Sequence, residues 1–184
     1  ILITEFLTHS RHFSWELHAS YLNQLVAQLV AMHQLKVQTP VLDAQQYLLR
    51  LREAIVHSSW NCTDEALYQA LAEAANQFAQ LPQDMVLCHM DLHSGNILVQ
   101  QAKLWLIDFE YCQKADSCFD LAALIINLEL NAVEEQQLLD AYIKKRPSTA
   151  LQLSARLRLA KQLYVGFCWL WYLSLPMSEG KAET

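Results

Sequence analysis

The sequence predicts a mostly helical α+β fold, and three observations carry that expectation. Apolar residues recur at helical spacing from Leu22 to Ile55, from Leu67 to Phe78 and from Leu121 to Leu173. Between the last two stretches the texture changes to short apolar runs, Met85–Cys88, Ile97–Val99 and Leu104–Ile107, which read as strands. The first two of these runs are separated by a polar loop, His89–Asn96, and the third is followed by Asp108-Phe109-Glu110. A small β insert framed by helices thus holds the densest set of polar side chains, on loops of the kind that carry chemistry.

Each element has its own local reason. Residues 1–7 (Ile1-Leu2-Ile3-Thr4-Glu5-Phe6-Leu7) read as a strand. Ser14 is the expected N-cap of a long helix with Leu22, Leu25, Val26, Leu29, Val30 and His33 at helical spacing, and Pro40 breaks the chain beyond it. Asp43 opens a second helix through Tyr47, Leu48, Leu51 and Ile55; Asp64 opens a third, with Pro82 past its end. The turn at Gln100–Lys103 lacks Asn-Gly, so the hairpin expectation rests on its apolar flanks. Asp120 leads into a helix through Leu121, Leu124, Ile125 and Leu128, and Val133–Lys144 is another, stopped by Pro147. A last helix runs from Ser148 to about Leu173 with a soft interruption at Gly166, and residues 176–184 form a polar, frayed tail.

Composition narrows the function. In 184 residues, 53% hydrophobic and 17% charged, there is enough apolar matter for a real core, and disorder is excluded. A net charge of −6 without a Lys/Arg stripe argues against nucleic acid. The apolar runs are too short and aromatic to span a bilayer, so no membrane insertion is expected. Five cysteines without a C-x-x-C pair fit a reducing cytoplasm, and nothing points to an obligate protein partner.

Asp91, Asn96 and Asp108 carry the chemistry. Phosphoryl transfer to an alcohol requires little covalent work from a protein; it needs in-line positioning and neutralisation of charge on the triphosphate. One carboxylate must face the incoming hydroxyl, and a second carboxylate with an amide oxygen suits a magnesium ion that keeps several waters. His-x-Asp-x-x-x-x-Asn followed by Asp-Phe supplies that set in order.

The stretch Leu87-Cys88-His89-Met90-Asp91-Leu92-His93-Ser94-Gly95-Asn96, followed by Leu106-Ile107-Asp108-Phe109-Glu110-Tyr111, resembles the aminoglycoside phosphotransferase, choline kinase and thiamine kinase superfamily, which shares the protein-kinase-like fold. The wording is closest to bacterial thiamine kinases, and the strong match covers about residues 86–125. The resemblance implies ATP and Mg²⁺ as cofactors, Asp91 as catalytic base, Asn96 and Asp108 as magnesium ligands, and Asp120 and His89 as braces of the catalytic loop. It also implies that residues 1–7 are a hinge strand whose Glu5, Phe6 and Leu7 meet adenine, and that residues 8–175 are a helical C-terminal lobe.

Two departures shape the expectation. Met90 stands where protein kinases carry Arg, and only residues 109–119 separate Asp108 from Asp120, so a small-molecule alcohol is expected rather than a protein substrate. The family's glycine-rich loop and phosphate-binding Lys have no counterpart ahead of the hinge. The chain, which starts at Ile1 on an apolar run, is therefore expected to lack the N-terminal lobe, either as a fragment or because the gene product has none, with weak ATP binding and little turnover alone.

For the acceptor, Glu110 and His93 are expected at the substrate, with Trp169 and Tyr172 from the aromatic cluster that also includes Tyr164 and Trp171. Such a cluster is first of all core, but aromatic faces with a carboxylate also hold a thiazolium or quaternary ammonium group. That favours thiamine or choline over an aminoglycoside. Two other readings stay open: a degenerate ligand-binding module that keeps only this lobe, and a metal-dependent hydrolase using His89, Asp91, His93 and Asp108.

Overall fold

Residues 10–14, 19–55 and 62–175 are described by the computed structural model. In chain order they form β1 (Arg11–His12), α1 (Leu22–His33), α2 (Ala44–Ala54), α3 (Cys62–Ala79), β2 (Met85–Cys88), β3 (Ile97–Gln100), β4 (Lys103–Leu106), β5 (Gln113–Asp116), α4 (Cys118–Asn127), α5 (Ala132–Lys145) and α6 (Leu153–Ser174). Short 3-10 turns lie at Ala19–Tyr21, Ser94–Asn96 and Pro147–Ala150. The expected hinge strand, residues 1–7 with Glu5, Phe6 and Leu7, and the tail 176–184 lie outside the described residues.

The helices sort by what their faces touch. Residues Cys118–Ile125 of α4 are buried all round, so this helix runs through the core, and α6 packs along it and across α2 and α3. Phe119 of α4 joins Phe78 of α3 and Phe167 of α6, with ring centroids 5.4 and 5.8 Å apart, and Tyr47 of α2 meets Phe167 edge-on at 4.8 Å. At Gly166 α6 packs closely on α3: a Cβ there would run into the Leu71 side chain. The glycine serves packing, and the expected soft interruption of the helix at Gly166 does not occur.

Two small antiparallel sheets carry the polar loops. One has the order β1-β3-β4, the other pairs β2 with β5. The hairpin turn places Gln101 and Ala102 at φ 48° and 62°, the left-handed pair of a type I′ turn made without glycine or asparagine. Asp43 caps α2 as expected, accepting from Gln45 N at 3.0 Å and Gln46 N at 3.1 Å. Asn131 and Glu134 close a capping box on α5.

Several boundaries differ from expectation. α1 begins at Leu22 rather than near Ser14, α3 at Cys62 rather than Asp64, and α6 at Leu153, because Pro147–Ala150 forms a separate turn. α4 begins at Cys118, so Asp120 does not cap the helix; it sits inside the first turn with its carboxylate turned to the catalytic loop. Strand β5 is unforeseen. Its residue Asp116 is buried against Arg156, which donates to both carboxylate oxygens at 2.9 and 2.7 Å, while Asp84 beside it receives Arg146, Thr149 and Ser117. These pairs fasten the β2–β5 sheet, and hence the start of the catalytic loop, to the helices behind it.

Candidate active site

Strand β2 delivers the chain into a loop held by its backbone. After Cys88, the amides of His89 and Met90 donate to the two oxygens of Asp120 at 2.8 and 2.9 Å. Met90 is held at φ 70°, a left-handed conformation that costs a residue with a Cβ roughly 1–2 kcal/mol. The turn aims Asp91 outward, half-buried. Asn96 then closes the loop from its far end: its amide nitrogen donates to the Asp91 carbonyl and to Asp91 Oδ2, both at 2.9 Å. His93 Nδ1 accepts from the Gly95 amide at 3.0 Å, and a Cβ at Gly95 would lie 2.7 Å from the His93 ring, so a larger residue there would displace that ring. His93 Nε2 lies 3.6 Å from Asp91 Oδ2.

The hairpin brings Asp108 to the same place. Ile97 pairs with Leu106 in register and the Ile107 amide donates to the Asn96 carbonyl at 3.1 Å, so Asn96 and Asp108 leave adjacent strands at the same end. Asp108 is itself at φ 61° and exposed, with no protein partner for its carboxylate among the described residues. The Asn96 nitrogen is committed to Asp91, which leaves its oxygen for a cation. An open carboxylate and an amide oxygen are hard donors that fit magnesium. Behind them His89 donates from Nε2 to the Ile107 carbonyl at 2.8 Å and packs on Phe109, which links the two loops.

In front of Asp91 lies a cavity of about 510 Å³ between this loop, α2 and α6. Its α6 wall is Tyr164, Phe167, Cys168, Trp171 and Tyr172, spaced i, i+3, i+4, i+7 and i+8, one face of a helix. Tyr47, Met90, His93, Glu110, Tyr111 and Gln113 complete it. The expected Trp169 is not in this wall. It sits two residues before Trp171, about 200° around the helix axis at 100° per residue, and packs against the core instead. Loop and wall are tied by Asn127, which donates to the Leu92 carbonyl at 2.8 Å and to the Tyr164 hydroxyl at 2.7 Å. Sequence reading missed Asn127 and Tyr47, and it named Trp171 in the aromatic cluster but chose Trp169 from it; the helical spacing of the aromatics was the available signal for Trp171.

The charge in this cavity is negative. Desolvation pushes the Cys168 thiol and the Tyr164 phenol above their ordinary values, so both stay neutral near pH 7. The Tyr111 phenol is raised by its hydrogen bond to Glu110. Asp91 and Glu110 therefore supply carboxylate charge to an otherwise aromatic space. The four residues of the hydrolase reading are not gathered: His89 turns into the core while His93 faces out. Among the described residues the one cluster of metal-type side chains within 4.8 Å is His33, Cys88 and Asp120, elsewhere and fully buried.

The fold is of the protein-kinase-like class to which the phosphotransferases belong. Residues 8–158 match the phosphotransferase enzyme family (APH), and the chain belongs to that family. It is 32% identical over 132 residues to protein LicA of Haemophilus influenzae, a match covering 64% of this chain and 38% of LicA. It is also 32% identical over 105 residues to thiamine kinase of Salmonella heidelberg, covering 54% of this chain and 37% of that enzyme. The chain thus spans under two-fifths of the length of these relatives. Among solved structures, choline kinase LicA from Streptococcus pneumoniae superposes with a TM-score of 0.83 at 22% identity, over 92% of this chain and 60% of that one. A LicA structure in complex with AMP gives 0.82 at 21% identity, over 93% and 59%. No helix among the described residues is long and apolar enough to cross a membrane.

Proposed function

We propose that this chain is the C-terminal, acceptor-binding lobe of a kinase that moves the γ-phosphoryl group of ATP to the hydroxyl of a small cationic metabolite, thiamine or choline before an aminoglycoside. One observation carries the reading: Asp91, held by Asn96, lines an aromatic, acidic cavity, and the backbone of Asn96 pairs with Ile107, next to the free carboxylate of Asp108. The cavity side holds the acceptor, the Asp108 side the nucleotide.

The residues divide the work by geometry. Asn96 fixes Asp91 Oδ2, leaving Oδ1 without a protein partner among the described residues and free to accept the acceptor's hydroxyl proton. Asp108 and the Asn96 amide oxygen would hold Mg²⁺, which when bound neutralises charge on the triphosphate oxygens. His93 lies within reach of Asp91 and of the transferred group. Trp171, Tyr172, Tyr164 and Tyr47 offer ring faces to a quaternary or thiazolium cation, and Glu110 offers its charge; each such face contributes on the order of 0.5–2 kcal/mol. We assign the nucleotide base to Glu5, Phe6 and Leu7, which lie outside the described residues. LicA bound to AMP and the thiamine kinase relatives support the nucleotide and the acceptor class.

The test is an ADP-release assay, with thiamine, choline and kanamycin, on the protein extended to the length of its relatives. Phosphorylation of a cationic alcohol that requires Mg²⁺ is expected, with Asp91→Asn lowering kcat by about 10³-fold. Transfer to none of the three, or an Asp91→Asn variant with full activity, ends the proposal. Acceptor binding by calorimetry with no effect of Mg-ATP would support the non-catalytic binding module instead.

A further inference from the structure

We propose that His33 and Tyr142, both remote from the cavity, are positioning residues for the catalytic loop and act through Asp120. The inference rests on Asp91 being the catalytic group.

Asp120 is completely buried and its carboxylate is surrounded by donors. His33 Nε2 lies 3.0 Å from Oδ2, which also accepts the His89 amide, and Oδ1 accepts the Met90 amide. The other nitrogen of the same imidazole, Nδ1, is 2.5 Å from the Tyr142 hydroxyl. A carboxylate only accepts, so Nε2 carries a proton and donates to Asp120; in the neutral ring Nδ1 then accepts from the phenol. Burial raises the Tyr142 phenol above its ordinary value, so that donor keeps its proton. The rings of His33 and Tyr142 meet edge-on, 5.6 Å apart at 75°, which fixes their relative orientation as well.

A chain of oriented hydrogen bonds therefore runs from α5 (Tyr142) through α1 (His33) to α4 (Asp120) and ends on the two amides that precede Asp91. Its far end is where the backbone is strained. Met90 at φ 70° holds its amide towards Asp120, and Asp91 is the next residue. A carboxylate free to rotate would release that turn and with it the direction of Asp91. Packing alone would place Asp120 in the core without choosing the rotation of its oxygens; the imidazole chooses it. The neighbouring Cys88 thiol takes no part, since its sulfur faces the carbonyls of Ala115 and Asp116 at 3.6 and 3.4 Å. The donors of this buried corner are thus already used in hydrogen bonds.

Three variants separate positioning from general stability. His33→Gln keeps an amide donor for Asp120 and an acceptor for Tyr142, His33→Leu keeps neither, and Tyr142→Phe removes only the hydroxyl. Amide exchange, imidazole ¹⁵N shifts and steady-state kinetics are read on each, in the protein extended to its relatives' length. For the parent, one protonated and one unprotonated ring nitrogen are expected at His33. His33→Leu should speed exchange at His89 and Met90 about tenfold to a hundredfold, the loss expected for one hydrogen bond to a charged group, while Ala115 and Val86 in the adjoining ladder keep their protection. kcat should fall by a similar factor with both KM values held within about twofold, and His33→Gln should restore most of it. Tyr142→Phe should lower kcat less and blur the tautomer. Unchanged exchange and kcat in His33→Leu overturn the proposal, as does uniform loss of protection that His33→Gln fails to rescue. If His33→Leu does not fold, Tyr142→Phe with an unchanged tautomer and kcat overturns it. A parent protein that phosphorylates no acceptor sinks the kinase reading, while the exchange and nitrogen shifts still decide the clamp.

Discussion

Six aspartate and glutamate side chains of this molecule fall into two groups of three that could hardly be used more differently. Asp84, Asp116 and Asp120 lie beneath the β2–β5 sheet with nearly every oxygen accepting from Arg146, Arg156, His33, Thr149, Ser117 or a backbone amide. Asp91, Asp108 and Glu110 line the open end of the hairpin and the cavity, with oxygens to spare. All three are consumed by the fold: Asp116 and Asp120 are buried and Asp84 is partly buried, and an unpaired charge at the two buried positions would cost several kcal/mol, on the order of the whole stability of a small domain. The rim three are available to a proton, a cation or a substrate. Partners, not residue type, separate scaffold from chemistry here.

The largest effect comes from breaking a buried pair. Arg156→Leu leaves Asp116 enclosed without its counter-charge and should lower the unfolding free energy by about 3–5 kcal/mol in urea titrations. Adding Asp116→Asn should return a large part of that loss, since the orphaned charge goes with it. A cost below about 1 kcal/mol for Arg156→Leu would mean that the pair is a passenger of the packing.

A smaller effect is expected from acid. Desolvation by itself raises Asp84, but hydrogen bonds from Arg146, Thr149 and Ser117 together with the Arg146 charge outweigh it, and the folded carboxyl lies below its ordinary 3.8. A depressed folded value contributes stability above the unfolded pKa and loses it as pH falls through the folded one. The urea midpoint should therefore drop below about pH 4, and Asp84→Asn should flatten that drop while lowering the midpoint at pH 7. Parallel pH curves for parent and variant would show that Asp84 does not contribute to acid unfolding.

The same contrast decides what the sequence could tell. Asp91, Asn96 and Asp108 stood out in the sequence because the proposed reaction requires those residue types at close spacing, and the hairpin and the Asp43 cap were legible because their causes are local. The paired carboxylates were not. His33 meets Asp120 across 87 positions, Arg146 meets Asp84 across 62, and Arg156 meets Asp116 across 40, and none of these pairs leaves a periodic mark. Strand β5, Gln113-Lys114-Ala115-Asp116, has no apolar alternation, because Arg156 rather than an apolar neighbour accounts for its buried Asp116. The cavity lay between these extremes. Its aromatic wall was written at 164, 167, 168, 171 and 172, yet clustering suggested Trp169 where helical register selects Trp171.

The smallest effect tests the rim from the opposite side, by making the protein more stable. Asp108 sits at φ 61° with an exposed carboxylate that has no protein partner among the described residues, so its side chain contributes little to the fold while its backbone is strained. The left-handed region costs a residue with a Cβ roughly 1–2 kcal/mol, somewhat less for Asp, and glycine escapes that cost at an entropic loss of about 0.5–1 kcal/mol. Asp108→Gly should therefore raise the unfolding free energy by about 0.5 kcal/mol while ending phosphoryl transfer. Met90→Gly relieves a similar strain but also removes a side chain packed against the core, and it should gain nothing. A stabilised, inactive Asp108→Gly would mark Asp108 as strain kept for the reaction. A destabilised one would place it with Asp84, Asp116 and Asp120, held by a contact of the fold.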